Sequence, residues 1–500
     1  WRRNPMGKPT GFLEYKRKNN REERPEERIQ HYNEFHQPLP ERERREQASR
    51  CTDCGVPFCQ AGMDFDGGTV GCPLNNLIPE WNDFLYRGNY QQAFHRLMKT
   101  SNFPEFTSRV CPGLCEEACT GNLYKGAVTV RDNELAIIEW GYANGKMDPH
   151  PPTVRTGKKV VVVGSGPAGL AVADQLNRRG HSVTVLEKED RIGGLLMYGI
   201  PNMKLEKWVI DRRRVRMEAD GVEFLTGVCV GKDVTPKQLE EQYDAVILAC
   251  GAPVPRDLPV PGREGKGIGF AVPYLTASTK SLLDGIKLDP FMNAKGKRVL
   301  VIGGGDTAND CIGTAVRQGA KKITQFLRRE EEPLTRAADN PWPEPPVVRK
   351  DGYGQQECVA VYGKDPRSYA TRVKEFVLDE GGKVKAAIGI KLERVIDETT
   401  GKKITRDIEG SEFEVKCDMV LIAAGFTGAD SALAESFGLH TDKKGNVPGT
   451  CPASHKTAVP HVFVAGDMRR GASLVVWAIR EGRETAREVD TYLMGYSNLA

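Results

Sequence analysis

The sequence predicts an α/β protein in which a small helical, metal-cluster domain precedes two interleaved Rossmann-like domains. Three observations predict it. Seven of the thirteen cysteines fall between Cys51 and Cys119, a strand, glycine loop and helix unit occurs twice after residue 151, and strands of Val, Ile and Leu alternate with helices as in a parallel sheet. With 500 residues the chain has room for about three domains of roughly 150 residues each. The expected boundaries are 1–150 for the helical domain, 151–256 and 430–500 for the two segments of the first nucleotide domain, and 257–429 for the second, inserted between them.

Acids and bases nearly cancel, giving a net charge of +4 with 28% charged residues, so no global basic field points to nucleic acid. The longest apolar runs, such as Leu474 to Ile479, fall far short of the ~20 residues of a membrane span. No signal peptide is visible, and a cytoplasmic setting with reduced thiols is expected. That setting makes metal ligation the natural use of clustered cysteines.

Residues 16–50 are dense in Arg, Glu, Pro and Asn and read as a solvated arm ending in a polar helix. Helical patterns follow at Ile78 to Tyr86, Tyr90 to Lys99 and Asn133 to Trp140, separated by Gly and Pro breaks. Asp148-Pro-His-Pro-Pro-Thr153 reads as a linker.

The cysteines are spaced C-x2-C-x4-C-x12-C (Cys51, Cys54, Cys59, Cys72) and C-x3-C-x3-C (Cys111, Cys115, Cys119). Soft thiolates suit zinc or iron-sulfur chemistry, and the spacing alone does not choose. One structural zinc strands three thiols, whereas two clusters need one ligand more than seven. The redox sites downstream tip the choice to iron-sulfur. In two-cluster ferredoxins the Cys before a proline serves the other cluster from its sequence neighbours, and here Cys72 and Cys111 both precede proline. By that analogy Cys51, Cys54 and Cys59 take Cys119, while Cys72, Cys111 and Cys115 lack a fourth ligand; Glu134 is the nearest credible oxygen. Cys229, Cys250, Cys311, Cys358, Cys417 and Cys451 read as core filling.

Lys159-Val-Val-Val-Val-Gly164-Ser165-Gly166-Pro167-Ala168-Gly169 runs from an apolar strand into a helix. Gly164 permits the tight turn, Gly166 lets backbone approach a pyrophosphate, and Gly169 lets the helix pack on its strand. The next strand, Ser182 to Leu186, ends in Glu187, an acceptor for an adenosine ribose. Lys188, Gly194 and Leu195 extend the candidate site. Near the C-terminus, strand Val462-Phe-Val leads to Gly466-Asp467, which resembles the flavin-ribityl contact of two-domain flavoprotein reductases and implies FAD. A helix beginning near Ser473 can aim its N-terminal dipole at the flavin.

The second loop, Gly303-Gly304-Gly305-Asp306-Thr307-Ala308, follows strand Arg298-Val-Leu-Val-Ile. Its next strand, Lys322 to Leu327, ends in Arg328 and Arg329 where the first site has Glu187. Guanidinium groups there can pair with a 2′-phosphate, so NADPH is expected over NADH, with Arg336 a weaker third candidate.

Longer stretches carry a resemblance. Gly7-Lys-Pro-Thr-Gly-Phe12, Cys51-Thr-Asp-Cys-Gly-Val-Pro-Phe-Cys59, Gly71-Cys-Pro-Leu-Asn-Asn-Leu-Ile-Pro-Glu-Trp-Asn82, Asn102-Phe-Pro-Glu-Phe106, Gly199-Ile-Pro-Asn-Met-Lys-Leu205 and Arg469-Arg-Gly-Ala-Ser-Leu-Val-Val-Trp477 resemble the small (beta) subunit family of bacterial glutamate synthase. The resemblance spans nearly the whole chain. It implies an adrenodoxin-reductase-like pair of nucleotide domains with FAD and NADPH, two 4Fe-4S clusters, Glu134 at the non-cysteine ligand position and Lys204 near the flavin. It also implies hydride transfer from NADPH to FAD and passage of single electrons through the clusters to a large (alpha) subunit, which forms glutamate from glutamine and 2-oxoglutarate. Neither an amidotransferase nucleophile at the N-terminus nor a synthase barrel is expected in this chain. Residues 1 to 5 precede the family's usual start at Met6. Because hydride transfer needs no acid in line, no catalytic base is expected.

Two other readings compete. One is the small subunit of a ferredoxin-linked or electron-bifurcating NAD(P)H oxidoreductase built on the same module. The other is a zinc-stapled regulatory protein that binds NADPH without turnover.

Overall fold

Four consecutive valines make the centre of the first sheet. Val160, Val161 and Val162 are wholly buried, as the strand of a parallel sheet covered on both faces requires. The computed structural model describes residues 7–65, 68–397, 401 and 403–499, and the expectation for residues 1 to 5 lies outside them. In the first sheet the strands Val462–Val464, Ala245–Leu248, Lys159–Val163, Ser182–Glu187 and Val222–Thr226 lie side by side in that order, all parallel. The C-terminal strand thus joins a sheet begun some 300 residues earlier.

The second sheet repeats the design with Ile268–Phe270, Met419–Ile422, Arg298–Ile302, Lys322–Phe326 and Arg367–Ser368, again all parallel. Between its last two strands in sequence the chain makes an antiparallel sheet of Thr371–Leu378, Val384–Ile396, Lys403–Asp407 and Phe413–Lys416. Phe326, Val373, Phe376 and Ala387 share one apolar cluster, so this sheet packs on the second parallel one.

The N-terminal helices run Glu41–Ala48, Ile78–Tyr86, Tyr90–Thr100, Pro104–Val110 and Val130–Ala143. Proline in the first turn starts two of them, where the missing N–H costs nothing. Trp81, Leu85, Phe103, Phe106 and Ile137 join Leu170, Leu176 and Ile479 of the first nucleotide unit in a single hydrophobic cluster. The linker at residue 148 therefore separates two folding patterns that share one core.

The segment departs from the solvated arm expected over residues 16–50. Arg28, Arg44 and Arg50 are each no more than 2% exposed. Arg28 Nε donates to Glu357 Oε1 at 2.8 Å, Arg44 Nη1 to Asn133 Oδ1 at 3.0 Å, and Arg50 Nη2 to the carbonyls of Lys125 and Gly126 at 2.9 and 2.7 Å. A buried guanidinium is tolerable only with such partners, and they come from other parts of the chain, which local composition cannot reveal. Among the scattered cysteines, Cys311, Cys358 and Cys417 do fill cores, but Cys229 and Cys250 are half-buried and Cys451 is exposed.

Candidate functional site

The seven clustered cysteines are brought together by loops that only glycine allows. Gly71 has φ +77° and Gly62 φ +56°; a Cβ on Gly71 would lie 2.1 Å from the Phe58 carbonyl oxygen, and one on Gly62 2.6 Å from that of Cys72. This close passage lets the Cys72 amide donate to the Cys59 carbonyl at 2.8 Å. Cys111 ends the helix Pro104–Val110, and Gly113 at φ +87° turns the chain into the short helix bearing Cys115, with Cys119 just beyond.

Two sets result. Cys51, Cys54, Cys59 and Cys119 line one cavity of about 490 Å³ together with Phe12, Phe58 and Val128. The thiols of Cys72, Cys111 and Cys115 form the other set, and each senses the carboxyl of Glu134. Burial pushes the thiols of Cys51 and Cys72 up to about 12 and that of Cys111 to about 11, so their ionised state requires a compensating cation. Glu134 sits on the inner face of Val130–Ala143 and accepts from Thr107 Oγ1 at 2.7 Å; burial pushes its carboxyl up to about 8. Among the described residues no three of the seven sulfurs gather within 4.8 Å of one another. A closed tetrahedral zinc, with Zn–S about 2.3 Å, would hold sulfurs about 3.8 Å apart. The donor set, soft thiolates with a single carboxylate, fits a sulfur-bridged cluster in each place.

The first glycine loop is equally constrained. Gly164 adopts φ +102°, and a Cβ on Gly169 would meet the Gly164 carbonyl oxygen at 2.0 Å, so strand and helix Pro167–Arg179 touch through bare backbone. Glu187 Oε2 accepts from the Ser165 amide at 3.0 Å and from its hydroxyl at 2.5 Å, tying the acid of the second strand to the loop. The Gly193 amide donates to Ser165 Oγ at 3.0 Å, which brings Gly194 beside Gly166. Lys188 follows Glu187 at the strand end, and Leu195 opens the exposed edge of the short helix Leu195–Tyr198. From the C-terminal side, a Cβ on Gly466 would lie 2.6 Å from that of Ala168. Asp467 accepts from Ser473 Oγ at 2.6 Å, and the following helix spans Val475–Met494, two residues beyond Ser473. Gly164 to Gly169, Glu187, Gly194 and Gly466-Asp467 thus come together at the start of helix Pro167–Arg179, an arrangement that can receive a dinucleotide with its phosphates at a helix N-terminus.

At the second loop, Gly303 has φ +136° and a Cβ there would meet the Ala423 carbonyl oxygen at 2.1 Å. Gln325 Nε2 donates to the Gly303 carbonyl at 2.8 Å, and helix Asp306–Arg317 begins with Asp306, Thr307 and Ala308. Arg329 reaches over the loop, Nη2 lying 3.5 Å from the Gly304 carbonyl, while Nη1 donates to Glu332 at 2.9 Å. Arg328 is exposed beside it. Arg336 lies farther along and spends Nη1 on the carbonyls of Asn340 and Glu344.

Three connections were absent from the sequence reading. Lys204, expected near the flavin, aims its ammonium at Asp306 and Asp310 of the second loop's helix. Arg480 of the C-terminal helix donates to the Pro73 carbonyl at 3.3 Å, next to Cys72. Trp342 packs edge-on against Phe58, between Cys54 and Cys59, at 4.9 Å. The recurrence of Asp at positions 306 and 310, one helical turn apart, is the one local signal for the first of these.

Comparison with known proteins agrees with this arrangement. The pyridine nucleotide-disulphide oxidoreductase model matches residues 158–345 and 360–482, and the model described as dihydropyrimidine dehydrogenase domain II, 4Fe-4S cluster, matches residues 28–146. FprA from Mycobacterium tuberculosis, solved in complex with NADPH, shares the fold with a TM-score of 0.52 at 20% identity, over 69% of this chain and 85% of that one. The glutamate synthase [NADPH] small chain of Bacillus subtilis is 50% identical over 99% of this chain and 100% of its own length, and that of M. tuberculosis H37Rv is 43% identical over 99% and 98%. The glutamate synthase [NADH] of Schizosaccharomyces pombe is 46% identical over 98% of this chain, which spans 23% of that longer protein. The chain belongs to the glutamate synthase small-chain family.

Proposed function

We propose that the chain is the electron-input subunit of a glutamate synthase, oxidising NADPH on behalf of a large subunit that forms glutamate from glutamine and 2-oxoglutarate. The observation that carries the proposal is the continuity of the candidate sites. The second loop touches the flavin-side turn through Lys204, the flavin-side C-terminal helix touches Pro73 beside Cys72, and Cys72 is hydrogen-bonded to Cys59 of the other thiol set. FAD, when bound, supplies the conversion of a hydride pair into single electrons, and the clusters supply one-electron relays.

In this reading Gly164, Ser165, Gly166, Pro167, Ala168 and Gly169 bind the FAD pyrophosphate, Glu187 its ribose, and Asp467 its ribityl chain. Gly303 to Ala308 bind NADPH, with Arg328 and Arg329 on the 2′-phosphate. Cys51, Cys54, Cys59 and Cys119 hold one 4Fe-4S cluster; Cys72, Cys111, Cys115 and Glu134 hold the second. Strand membership supports 151–256 with 430–500 as the FAD unit and 257–429 as the NADPH unit. The Cys51 set serves as the exit, because its cavity is rimmed by exposed Leu13 and Tyr124, whereas Cys72 adjoins Pro73, which the flavin-side helix touches. Among the described residues no helix is long and apolar enough to cross a membrane, and a cytoplasmic location suits cysteines that must stay reduced to hold clusters.

The test is reconstitution with the authentic large subunit. NADPH oxidation, faster than with NADH, should depend on both glutamine and 2-oxoglutarate and yield glutamate. Reduction of ferredoxin with no glutamate formed would favour the ferredoxin-linked oxidoreductase instead.

A further inference from the structure

Lys204 lies in the turn Pro201 to Leu205, where the Lys204 and Leu205 amides both donate to the Pro201 carbonyl. It belongs by sequence to the flavin-side unit, yet its Nζ stands 3.6 Å from Asp306 Oδ2 and 3.4 Å from Asp310 Oδ1. Asp310 is buried and accepts the Tyr353 hydroxyl at 2.9 Å, so this end of the contact is fixed from the helix Tyr353–Tyr362. Asp306 is the opposite case: its side chain is 71% exposed, at the first position of the helix that follows the second glycine loop.

An exposed carboxylate at that position opposes the loop's task. The helix N-terminus and loop amides attract a pyrophosphate, and a neighbouring negative charge repels it. A lysine ammonium within 4 Å of the carboxylate offsets the repulsion. That it comes from the other nucleotide unit means the compensation is complete only when the two units sit in register.

We propose that Lys204 is a positioning residue for the pyridine nucleotide: it neutralises Asp306 where the NADPH pyrophosphate lands and, through Asp310, fixes the NADPH unit against the flavin-side turn. The proposal rests on the reading of residues 303–308 as the NADPH loop. It gives Lys204 a role at the second dinucleotide in addition to its expected place near the first.

The experiment uses the holoprotein without its large subunit. NADP+ is titrated by its perturbation of the flavin spectrum, and NADPH-dependent reduction of ferricyanide gives KM. Lys204→Met should raise both the NADP+ Kd and the NADPH KM about tenfold, each referred to the FAD bound in that preparation. Lys204→Arg should remain within about threefold of the parent, since the charge is kept. Asp306→Asn alone should tighten NADP+ binding about two- to threefold, a gain that misfolding cannot produce, and in the Lys204→Met background it should recover most of the lost affinity. Unchanged Kd and KM in Lys204→Met, or Asp306→Asn giving neither a gain alone nor any recovery, would overturn the proposal. Failure of NADPH to reduce the flavin of the unsubstituted protein would overturn the underlying reading as well, and that control is read before any variant.

Discussion

At the scale of single residues, Glu134 is the position where charge, burial and chemistry conflict most sharply. A carboxyl held among thiols, with its ionisation pushed up to about 8, keeps its proton at neutral pH unless a cation takes the proton's place. Thr107 fixes one oxygen by its hydroxyl, orienting the group towards Cys72, Cys111 and Cys115. Glu134→Ala should therefore leave the Cys51, Cys54, Cys59 and Cys119 cluster intact and weaken or convert the other, lowering iron content and removing one of two EPR-active centres while FAD content is unchanged. Two intact 4Fe-4S signals in that variant would show that Glu134 is no ligand. The odd number of cysteines made this residue legible in the sequence, because eight ligands were needed and seven thiols were present. Thr107 was not legible, since a threonine on a neighbouring helix carries no spacing signal.

At the scale of elements, the flavin-side crevice depends on two helices approaching closely enough to exclude side chains. A Cβ on Gly482 of Val475–Met494 would stand 2.4 Å from the Ala168 carbonyl oxygen and 2.7 Å from the Ala171 Cβ of Pro167–Arg179. Neither neighbour can yield without moving the glycine-loop helix itself. Gly482→Val should destabilise by ~1–3 kcal/mol through overpacking. It should also displace the helix N-terminus from the phosphates, so the thermal midpoint falls and FAD is lost on gel filtration; Gly269→Ala, with nothing within 4 Å of its added Cβ, is the control that should do neither. The strand and helix units around both loops were legible almost to the residue because apolar runs and glycine turns are local signals: Ser182 to Leu186 became Ser182–Glu187, and Lys322 to Leu327 became Lys322–Phe326. The antiparallel sheet over 371–416 was not, because its strands carry no motif and its pairing is set by packing on the second parallel sheet.

At the scale of the molecule, the arm holds the units together. Arg28 and Arg317 share Glu357, at 2.8 Å from Arg28 Nε to Oε1 and 2.6 Å from Arg317 Nη1 to Oε2, and all three side chains are no more than 1% exposed. Arg317 Nη2 and Nε also donate to the carbonyls of Arg28 and His31, at 3.1 and 2.9 Å. A few residues on, Asn202 donates to the Tyr32 carbonyl at 2.7 Å, and Arg109 of the cysteine-bearing unit pairs with Glu34 at 2.7 Å. Segment 28–34 thus contacts all three units through partners 75 to 329 residues away in sequence, which is why it read as a solvated arm. The asymmetry of buried ion pairs orders the outcomes. Glu357→Ala strands two buried guanidinium groups and should destabilise by ~3–5 kcal/mol, whereas Arg28→Met leaves Glu357 paired with Arg317 and should cost less. Urea denaturation read at both an N-terminal and a flavin signal checks the order. Limited proteolysis should cut the arm before the rest of the chain in Glu357→Ala, because its anchor on the NADPH unit is reduced to the contacts of Arg317 with the Arg28 and His31 carbonyls while Glu34 and Tyr32 still hold the other two. A double-mutant cycle over Arg28 and Glu357 that returned no coupling, with the arm still resistant, would mean that the arm rests on the molecule without holding its units in place.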